Sequence, residues 1–412
     1  MRRTMVQRTD PTQQFGIELR GAAVVETRYR KGVPREYVKE HPSPADAARA
    51  FEKRLRTKRG EGFVHLTPAA DVKPGGLRFE GASAGGGGGG VLDLSADGRL
   101  LVCADVGEQA HGCRVTVVDL DTGAERVVFT RDAGSQQTFV HAARFDADAT
   151  RLVVLINSDT VLVDLESGKE RRLASWDQHR TSRFNPFVVR PSMDLARRRC
   201  AIADADDLVK VVDLERGEVV QTFSTRSPTT ECRGVALSPS GALIAFYCPS
   251  RGLVYGHDDA RHDTSNELEV FDVATGERRA LLEPPKKLDR FGFTAGEDAL
   301  WLIWEYAQGP LCVALPDGAE RWRFEDEWRK DRLATAYACA WSPRPGSSLL
   351  AVGRNALEWH DASGPGRPAR LPDPEQLGHD RVSDLVFSRD GAWLAAWAGG
   401  VASVYRAPDI AR

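Results

Sequence analysis

A short turn motif recurs along this chain at a nearly constant spacing. Its clearest copy runs from Asp119 to Gly123, where Asp can hydrogen-bond its own backbone and Gly accepts a positive φ angle. The aspartate or its counterpart falls at Asp119, Asp164, Asp213, Asp272, Ala314, Asp361 and Arg406. The steps between these positions are 45, 49, 59, 42, 47 and 45 residues. A chain with this period is a repeat protein.

Each repeat has the pattern of four strands. An apolar strand ends in a first turn, such as Ser95–Gly98 or Ser388–Gly391, and a buried strand, a third strand ending at the aspartate and a fourth strand follow. Four strands and about 45 residues per unit are typical of a β-propeller. The sequence therefore predicts a mainly β fold, with a seven-bladed propeller of four-stranded blades over residues 91–408.

The seventh unit ends after its third strand, at Val401–Arg406. A ring with one missing outer strand needs a donor, because an open sheet edge invites aggregation. Residues 74–90 form a glycine-rich linker, within which 77–80 reads as a short strand. We expect this strand to pair beside Val401–Arg406 and to close the ring. Over roughly residues 77–408 the chain resembles the degenerate WD-repeat-like propellers of bacteria, which implies a protein-binding scaffold.

Charge divides the chain unequally. Residues 1–75 hold 16 Lys/Arg against 9 Asp/Glu, a net charge of +7, whereas the remainder holds 40 against 50, a net charge of −10. This asymmetry predicts an anionic partner for the N-terminal part. The seven cysteines form no CxxC pair, and no run of about 18 apolar residues occurs. We expect reduced cysteines, no membrane span and a cytoplasmic location.

Residues 1–73 have the pattern of a small α+β domain. Strands are predicted at Phe15–Leu19, at Val24–Tyr29 and at Arg35–Lys39. Ser43 and the proline after it mark a helix start, and the helix ends near Gly60 or Gly62. A strand at 63–66 follows.

Residues 13–67 resemble the WGR domain, a small sheet with one packed helix. The resemblance rests on Thr27–Gly32 and on the run from Ser43 to Val64, and the Trp-Gly-Arg of the family corresponds to Tyr29, Arg30 and Lys31. In the poly(ADP-ribose) polymerases this family contacts DNA ends. The cations and the charge asymmetry predict a surface that binds nucleic acid or an acidic protein. Its candidate residues are Arg28, Tyr29, Arg30, Lys31, Arg35, Lys53 and Arg56. The alternative interpretation is a solvated helix face.

Further candidates lie in the propeller. The loop at 257–263 is part of the longest unit, and His257, Arg261 and His262 could contact a partner or, less in keeping with a loop, a metal ion. Trp322 and Trp328 lie among charges, and exposed tryptophans make strong contact sites, although core packing is the alternative. Polar residues that could line the channel of an enzyme of the lactonase type are Glu108, His111, His141, His179 and His379.

No nucleophile motif, phosphate loop or repeated catalytic set accompanies these candidates. We therefore expect a non-catalytic scaffold without cofactor or metal, whose propeller binds a protein partner. Direct DNA binding as the main activity and a propeller enzyme are the alternatives.

Overall fold

The structure is a computed structural model of the chain. It describes residues 2–7, 10, 12–30, 32–82, 91–105, 112–132, 140–156, 159–175, 192–196, 198–203, 208–224, 232, 234–249, 266–284, 288–304, 310–323, 338–353, 356–363, 368–371 and 382–410.

The N-terminal unit consists of five strands and one helix. The strands are β1 (Arg2–Gln7), β2 (Gln14–Arg20), β3 (Ala23–Arg30), β4 (Val33–Glu40) and β5 (Phe63–Leu66), and the helix is α1 (Pro44–Gly60). Ser43 caps α1, because its side chain accepts a hydrogen bond from Asp46 N at 3.1 Å. Ala47, Phe51 and Leu55 of α1 are buried against the sheet. The predicted helix and the strands from β2 to β5 are confirmed, and β1 was not predicted.

A single 3₁₀ turn (Ala69–Asp71) leads to strand β6 (Leu77–Ala82). Six four-stranded antiparallel sheets follow, each with its strands in chain order. The first three contain β7 (Val91–Leu94), β8 (Leu100–Asp105), β9 (Cys113–Asp119) and β10 (Glu125–Arg131); β11 (Val140–Phe145), β12 (Arg151–Ile156), β13 (Asp159–Asp164) and β14 (Glu170–Ser175); and β15 (Ser192–Ala196), β16 (Arg199–Ala203), β17 (Leu208–Asp213) and β18 (Glu218–Ser224).

The next three sheets contain β19 (Gly234–Leu237), β20 (Leu243–Pro249), β21 (Asn266–Asp272) and β22 (Arg278–Leu282); β23 (Leu288–Phe293), β24 (Ala299–Trp304), β25 (Leu311–Ala314) and β26 (Glu320–Arg323); and β27 (Ala338–Trp341), β28 (Leu349–Gly353), β29 (Leu357–Asp361) and β30 (Ala369–Arg370). The last three strands are β31 (Val382–Phe387), β32 (Trp393–Ala398) and β33 (Val401–Arg406).

The sheets pack around a common centre through their first strands. Strand β7 contacts β11, β11 contacts β15, β15 contacts β19, and β19 contacts β23. Strand β31 contacts both β27 and β7, so the last strands of the chain meet the first sheet. Apolar side chains fill the spaces between neighbouring sheets, as Val102 and Phe145 do in one shared cluster. This is the architecture of a β-propeller with four-stranded blades.

The sequence predicts seven blades, whereas the described strands form six separate four-stranded sheets. The last strands instead belong to a nine-stranded sheet with the order β31-β32-β33-β6-β5-β1-β2-β3-β4. Strand β6 lies where the sequence places it, beside β33, with Phe79 opposite Val404. It also pairs with β5 through its other edge, with Glu80 opposite His65. Hydrogen bonding therefore continues from the propeller into the N-terminal unit.

Buried charges tie β6 to its surroundings. Arg78, 2% exposed, donates to Gly98 O at 2.8 Å and to Asp121 Oδ1 at 2.6 Å, both on turns of the first propeller sheet. Glu80, 3% exposed, forms an ion pair with Arg59 of α1. Buried arginines and carboxylates need such partners, because an unpaired charge is costly away from water. Strand β6 is thus fixed to the propeller on one side and to the helix on the other.

The recurring aspartates hold the turns between the third and fourth strands. Oδ1 of Asp119 accepts hydrogen bonds from Asp121 N at 2.9 Å and Thr122 N at 3.0 Å. The same two hydrogen bonds recur at Asp213 and Asp272, and Asp164 and Asp361 each accept one of them. Burial raises the pKa of Asp119, but these hydrogen bonds outweigh it and lower the pKa overall. The repeated aspartates therefore serve folding.

Candidate partner-binding surface

Strand β4 forms one edge of the nine-stranded sheet. Among the described strands it pairs with β3 alone, and every residue from Val33 to Glu40 is exposed. Tyr37 and Val38 are 49% and 59% exposed, although both are large and partly or wholly apolar. A long exposed strand edge with apolar side chains is a site where another strand can add.

The register of β3 and β4 determines which backbone groups are available. His41 N donates to Ala22 O at 2.9 Å, in register with the β3–β4 ladder that pairs Ala23 with Glu40. Hydrogen-bonded and non-hydrogen-bonded pairs alternate in an antiparallel ladder. The odd-numbered residues of β4 therefore bond β3, and the N–H groups of Glu36, Val38 and Glu40 point away from the sheet.

A groove separates β4 from α1. The helix packs over β2, β3 and β5, so β4 extends beyond the surface that α1 covers. The groove has a volume of about 490 Å³. Its helix wall is a single stripe at helical spacing, and its sheet wall is formed by β3 and β4. The helix wall consists of Ala50, Lys53, Arg54 and Thr57, and the sheet wall and its end consist of Val24, Glu26, Arg28, Tyr37, Val38, Lys39 and His41.

One carboxylate lies among the cations of this groove. Oε1 of Glu26 accepts from Arg54 Nε at 2.8 Å, and Oε2 accepts from Arg28 Nη2 at 2.9 Å. Burial raises the pKa of Glu26, but the hydrogen bonds from Arg54 and Arg28 outweigh it and lower the pKa overall. The Arg28 guanidinium also lies over the ring of Tyr37, with Cζ 4.7 Å from the centroid. Both arginines are therefore fixed in position.

The remaining cations of this surface are available to pair with an anionic ligand. Among the described residues, the side chains of Arg35, Lys39, Lys53 and Arg56 form no ion pair. The groove lining carries four cations, Arg28, Lys39, Lys53 and Arg54, and one carboxylate, Glu26, so it has a net positive charge. A groove with this charge favours an anionic ligand.

The structure brings together part of the predicted basic surface. Arg28 and Lys53 line the groove, and Arg35 lies directly opposite Arg28 in the ladder. Tyr29 instead lines a second cavity, of about 870 Å³, at the end of the β3–β4 hairpin. Arg56 lies on the outer side of α1, beside Arg49 and Glu52. The side chain of Arg30 and the whole of Lys31 lie outside the described residues.

Tyr37, Val38 and Lys39 were not predicted as site residues. The exposure of β4 could have been predicted from the sequence. Polar and apolar residues occur on both faces of this strand, so neither face is suited to burial. Glu26 was also missed, since a sequence does not show which carboxylate meets which arginine.

The candidate residues of the propeller give a different result. Trp322 is 4% exposed and stacks on Trp341 with ring centroids 5.9 Å apart, so it packs in the core and offers no contact surface. His141 lies on β11 and is half-buried. His257, Arg261, His262, Trp328, Glu108, His111, His179 and His379 lie outside the described residues. Over the described part of the chain, no group of three or more His, Cys, Asp or Glu side chains is placed to hold a metal ion.

A half-buried ion pair between two inner strands of the propeller was also missed. Arg290 of β23 donates to Asp384 Oδ1 and to Ser383 O of β31, both at 2.9 Å. The two strands belong to units separated by the β27 sheet. These charged groups satisfy one another and serve the packing of the ring.

The chain has the fold of known β-propellers. A chain of the mitotic checkpoint complex matches with a TM-score of 0.59 at 16% identity, covering 83% of this chain and 97% of that one. The Cps50 (Swd1) β-propeller domain of Myceliophteria thermophila matches with a TM-score of 0.54 at 14% identity, covering 78% of this chain and 97% of that one. Hydrazine synthase of Kuenenia stuttgartiensis matches with a TM-score of 0.54 at 16% identity, covering 76% of this chain and 94% of that one.

Neither a family model nor a curated protein sequence matches the chain. None of the helices in the described part is long and apolar enough to cross a membrane. Identities this low establish the fold and nothing finer.

Proposed function

We propose that the chain is a non-catalytic scaffold that holds two protein partners in a fixed relative orientation. One partner binds the propeller, and the other, acidic partner binds the N-terminal unit. The observation that carries this proposal is the pairing of β6 with both β33 and β5, since it makes one sheet of the two units. Two surfaces on a continuous sheet cannot reorient as they would across a flexible linker.

The comparisons support the scaffold part of the proposal. One similar chain is part of the mitotic checkpoint complex, and another is the propeller domain of Cps50 (Swd1). Hydrazine synthase shares the same architecture, so the fold by itself does not separate scaffolds from enzymes. The ion pairs of Arg78 and Arg290 and the turn aspartates of the described propeller residues are engaged in packing, which favours a scaffold.

We also propose that β31, β32, β33 and β6 act as a seventh blade, shared with the N-terminal sheet. Its support is the contact of β31 with β27 on one side and with β7 on the other. The N-terminal unit would then be a WGR-like module, in line with its helix and hairpins, that is built onto the outer strand of this blade.

Purification of the tagged full-length chain from its native cells under gentle conditions tests the scaffold. We expect a complex of defined stoichiometry that reassembles from its purified components, measured by light scattering after size exclusion. A chain that purifies alone and stays monomeric under these conditions would overturn the proposal.

Nucleic-acid binding by the N-terminal unit is the second candidate. The uncommitted cations Arg35, Lys39, Lys53 and Arg56 favour it. Binding of a labelled DNA duplex to the full-length chain should then weaken steeply with salt. Absence of binding at low ionic strength would exclude this candidate.

A further inference from the structure

We propose that β4 binds an extended acidic segment of a partner protein as a tenth strand of the nine-stranded sheet. The inference rests on the proposed scaffold function and names the surface and the chemistry of its acidic partner. Strand addition draws its affinity from main-chain hydrogen bonds and its specificity from alternate side chains. Both elements are present at β4.

The main-chain element is the outer edge of β4. The N–H groups of Glu36, Val38 and Glu40 point away from the sheet, together with their carbonyl groups, because the odd-numbered residues bond β3. Pro34 occupies the next outward position and has no N–H to offer. The added strand therefore pairs with residues 36–40, a length of about five residues.

The groove face of the added strand meets positive charge. Every second side chain of that strand would point to the same side as Tyr37 and Lys39, toward the helix stripe that holds Lys53. Arg28 and Arg54 already neutralise Glu26, whereas Lys39 and Lys53 form no ion pair among the described side chains. Glu or Asp at alternate positions of the partner would supply the missing charges.

The opposite face of the added strand meets Val38. This side chain is 59% exposed, and Glu36 and Glu40 lie two residues before and after it on the same face. Apolar or neutral side chains are favoured here, because carboxylates would lie next to carboxylates. The partner segment is therefore one in which acidic residues alternate with Val, Thr or similar residues.

Two other occupants fit the surface less well. An antiparallel pair of two β4 strands centred on Tyr37 would place Arg35 opposite Lys39, and one centred on Val38 would place Glu36 opposite Glu40, so like charges would meet in either register. A nucleic acid would meet a strand that carries two carboxylates as well as two cations, which is a poor track for phosphates.

The test uses the full-length chain and a fluorescein-labelled peptide of seven residues in which Glu alternates with Val and Thr. We expect saturable binding in fluorescence anisotropy, and no binding of the same peptide with Lys in place of Glu. Lys53→Glu should weaken binding by about fivefold or more. Lys169→Glu is the matched control, since Lys169 is exposed on the turn between β13 and β14, and it should bind as the unaltered chain does.

Val38→Pro should abolish peptide binding, because it removes an outward N–H without touching the bonds to β3. Where this variant does not fold, the double variant with Lys39→Glu and Lys53→Glu takes its place. Equal binding to Val38→Pro, displacement of the peptide by a DNA duplex, or dimers that form through β4 would each overturn the inference. A partner that still assembles with Val38→Pro overturns strand addition alone and leaves the scaffold in place.

Discussion

The guanidinium of Arg78 lies over the indole ring of Trp393, with its Cζ atom 4.6 Å from the ring centroid. Arg78 belongs to β6 and Trp393 begins β32, while the hydrogen bonds of Arg78 end on Gly98 and Asp121 of the first sheet. One buried side chain of the closing strand thus contacts the last strands and the first sheet at once. The junction between the start and the end of the propeller depends on it.

Replacement of Arg78 by Ala should lower the free energy of unfolding by about 3 kcal/mol, because two charged hydrogen bonds and the contact with Trp393 are lost from a buried position. Urea denaturation followed by circular dichroism measures the change. Arg99→Ala is the control: Arg99 pairs with Asp119 and Asp121 but is 58% exposed, so its loss should cost less than about 1 kcal/mol. Equal costs for the two variants would contradict the role given to Arg78.

Gly98→Ala should destabilise the chain more than Gly168→Ala. Both glycines have φ angles near +70°, at 69° and 68°, so both substitutions carry the same backbone cost of about 1 kcal/mol. A Cβ at Gly98 would also overlap the Trp393 ring, whereas nothing lies within 4 Å of a Cβ at Gly168. We expect an additional loss of about 1–3 kcal/mol for Gly98→Ala in thermal or urea denaturation. Matching losses would show that the turn can move away from Trp393.

Phe79→Ala should destabilise the N-terminal unit and the propeller together. Phe79 is 1% exposed and packs in a cluster with Val64 of the N-terminal sheet and with Leu101 and Trp397 of the propeller. The loss should be about 3–5 kcal/mol. In the unaltered chain and in the variant, helix signal and tryptophan fluorescence should change in one common transition. Separate transitions would mean that the shared sheet does not couple the two units.

His65 should make stability depend on pH. Its Nδ1 lies 2.9 Å from Thr4 O, so that nitrogen carries the proton, and burial, together with the charge of Arg3, lowers its pKa to about 4. In the unfolded chain the pKa is near 6.5. Above pH 6.5 the ring is neutral in both the folded and the unfolded state, so it does not make the free energy of unfolding depend on pH. Between pH 6.5 and 4 only the unfolded chain binds the proton, so stability falls as the pH falls, by about 3 kcal/mol in total.

Free energies of unfolding measured at pH 7 and at pH 4.5 test this expectation. The His65→Asn variant should lose less stability over this interval than the unaltered chain, whatever its stability at pH 7. Parallel losses in the two proteins would assign the pH dependence to other groups.

Local features of the fold could be predicted because they depend only on residues that are close together in the sequence. The Asp119–Gly123 turn and its copies combine an aspartate that accepts from the next backbone N–H groups with a glycine at positive φ. Ser43 and Pro44 mark the start of α1 for the same local reasons. Such signals need no knowledge of distant contacts.

The nine-stranded sheet could not be predicted, because it depends on pairings between distant segments. The pairing of the strand at 77–80 with β33 was predicted and is confirmed, but its second pairing, with β5, is visible only in the structure. Strand β1 was missed for a related reason. Its residues Arg2–Gln7 hold two arginines and few apolar side chains, and its burial comes from pairing with β2 and β5.

The positive charge of the candidate surface was predicted from the sequence, but the arrangement of its residues was not. The cations at Arg28, Arg35 and Lys53 were identified from composition. Glu26 holds Arg28, whereas Arg35 and Lys53 form no ion pair among the described residues, and a sequence does not show this division. The exposed edge of β4 likewise depends on where the sheet ends.

The pairing of β6 with β33 has a consequence for the order of events during translation. The ribosome makes β6 near the start of the chain and its partner Val401–Arg406 near the end. At usual elongation rates the roughly 320 residues between them take about 16–65 s to synthesise. Throughout that interval the edge of β6 that will meet β33 has no native partner, and Leu77 and Phe79 lack part of their final cover. A nascent chain that ends before β33 would leave this edge of β6 unpaired, so the propeller closes only after Val401–Arg406 has been synthesised.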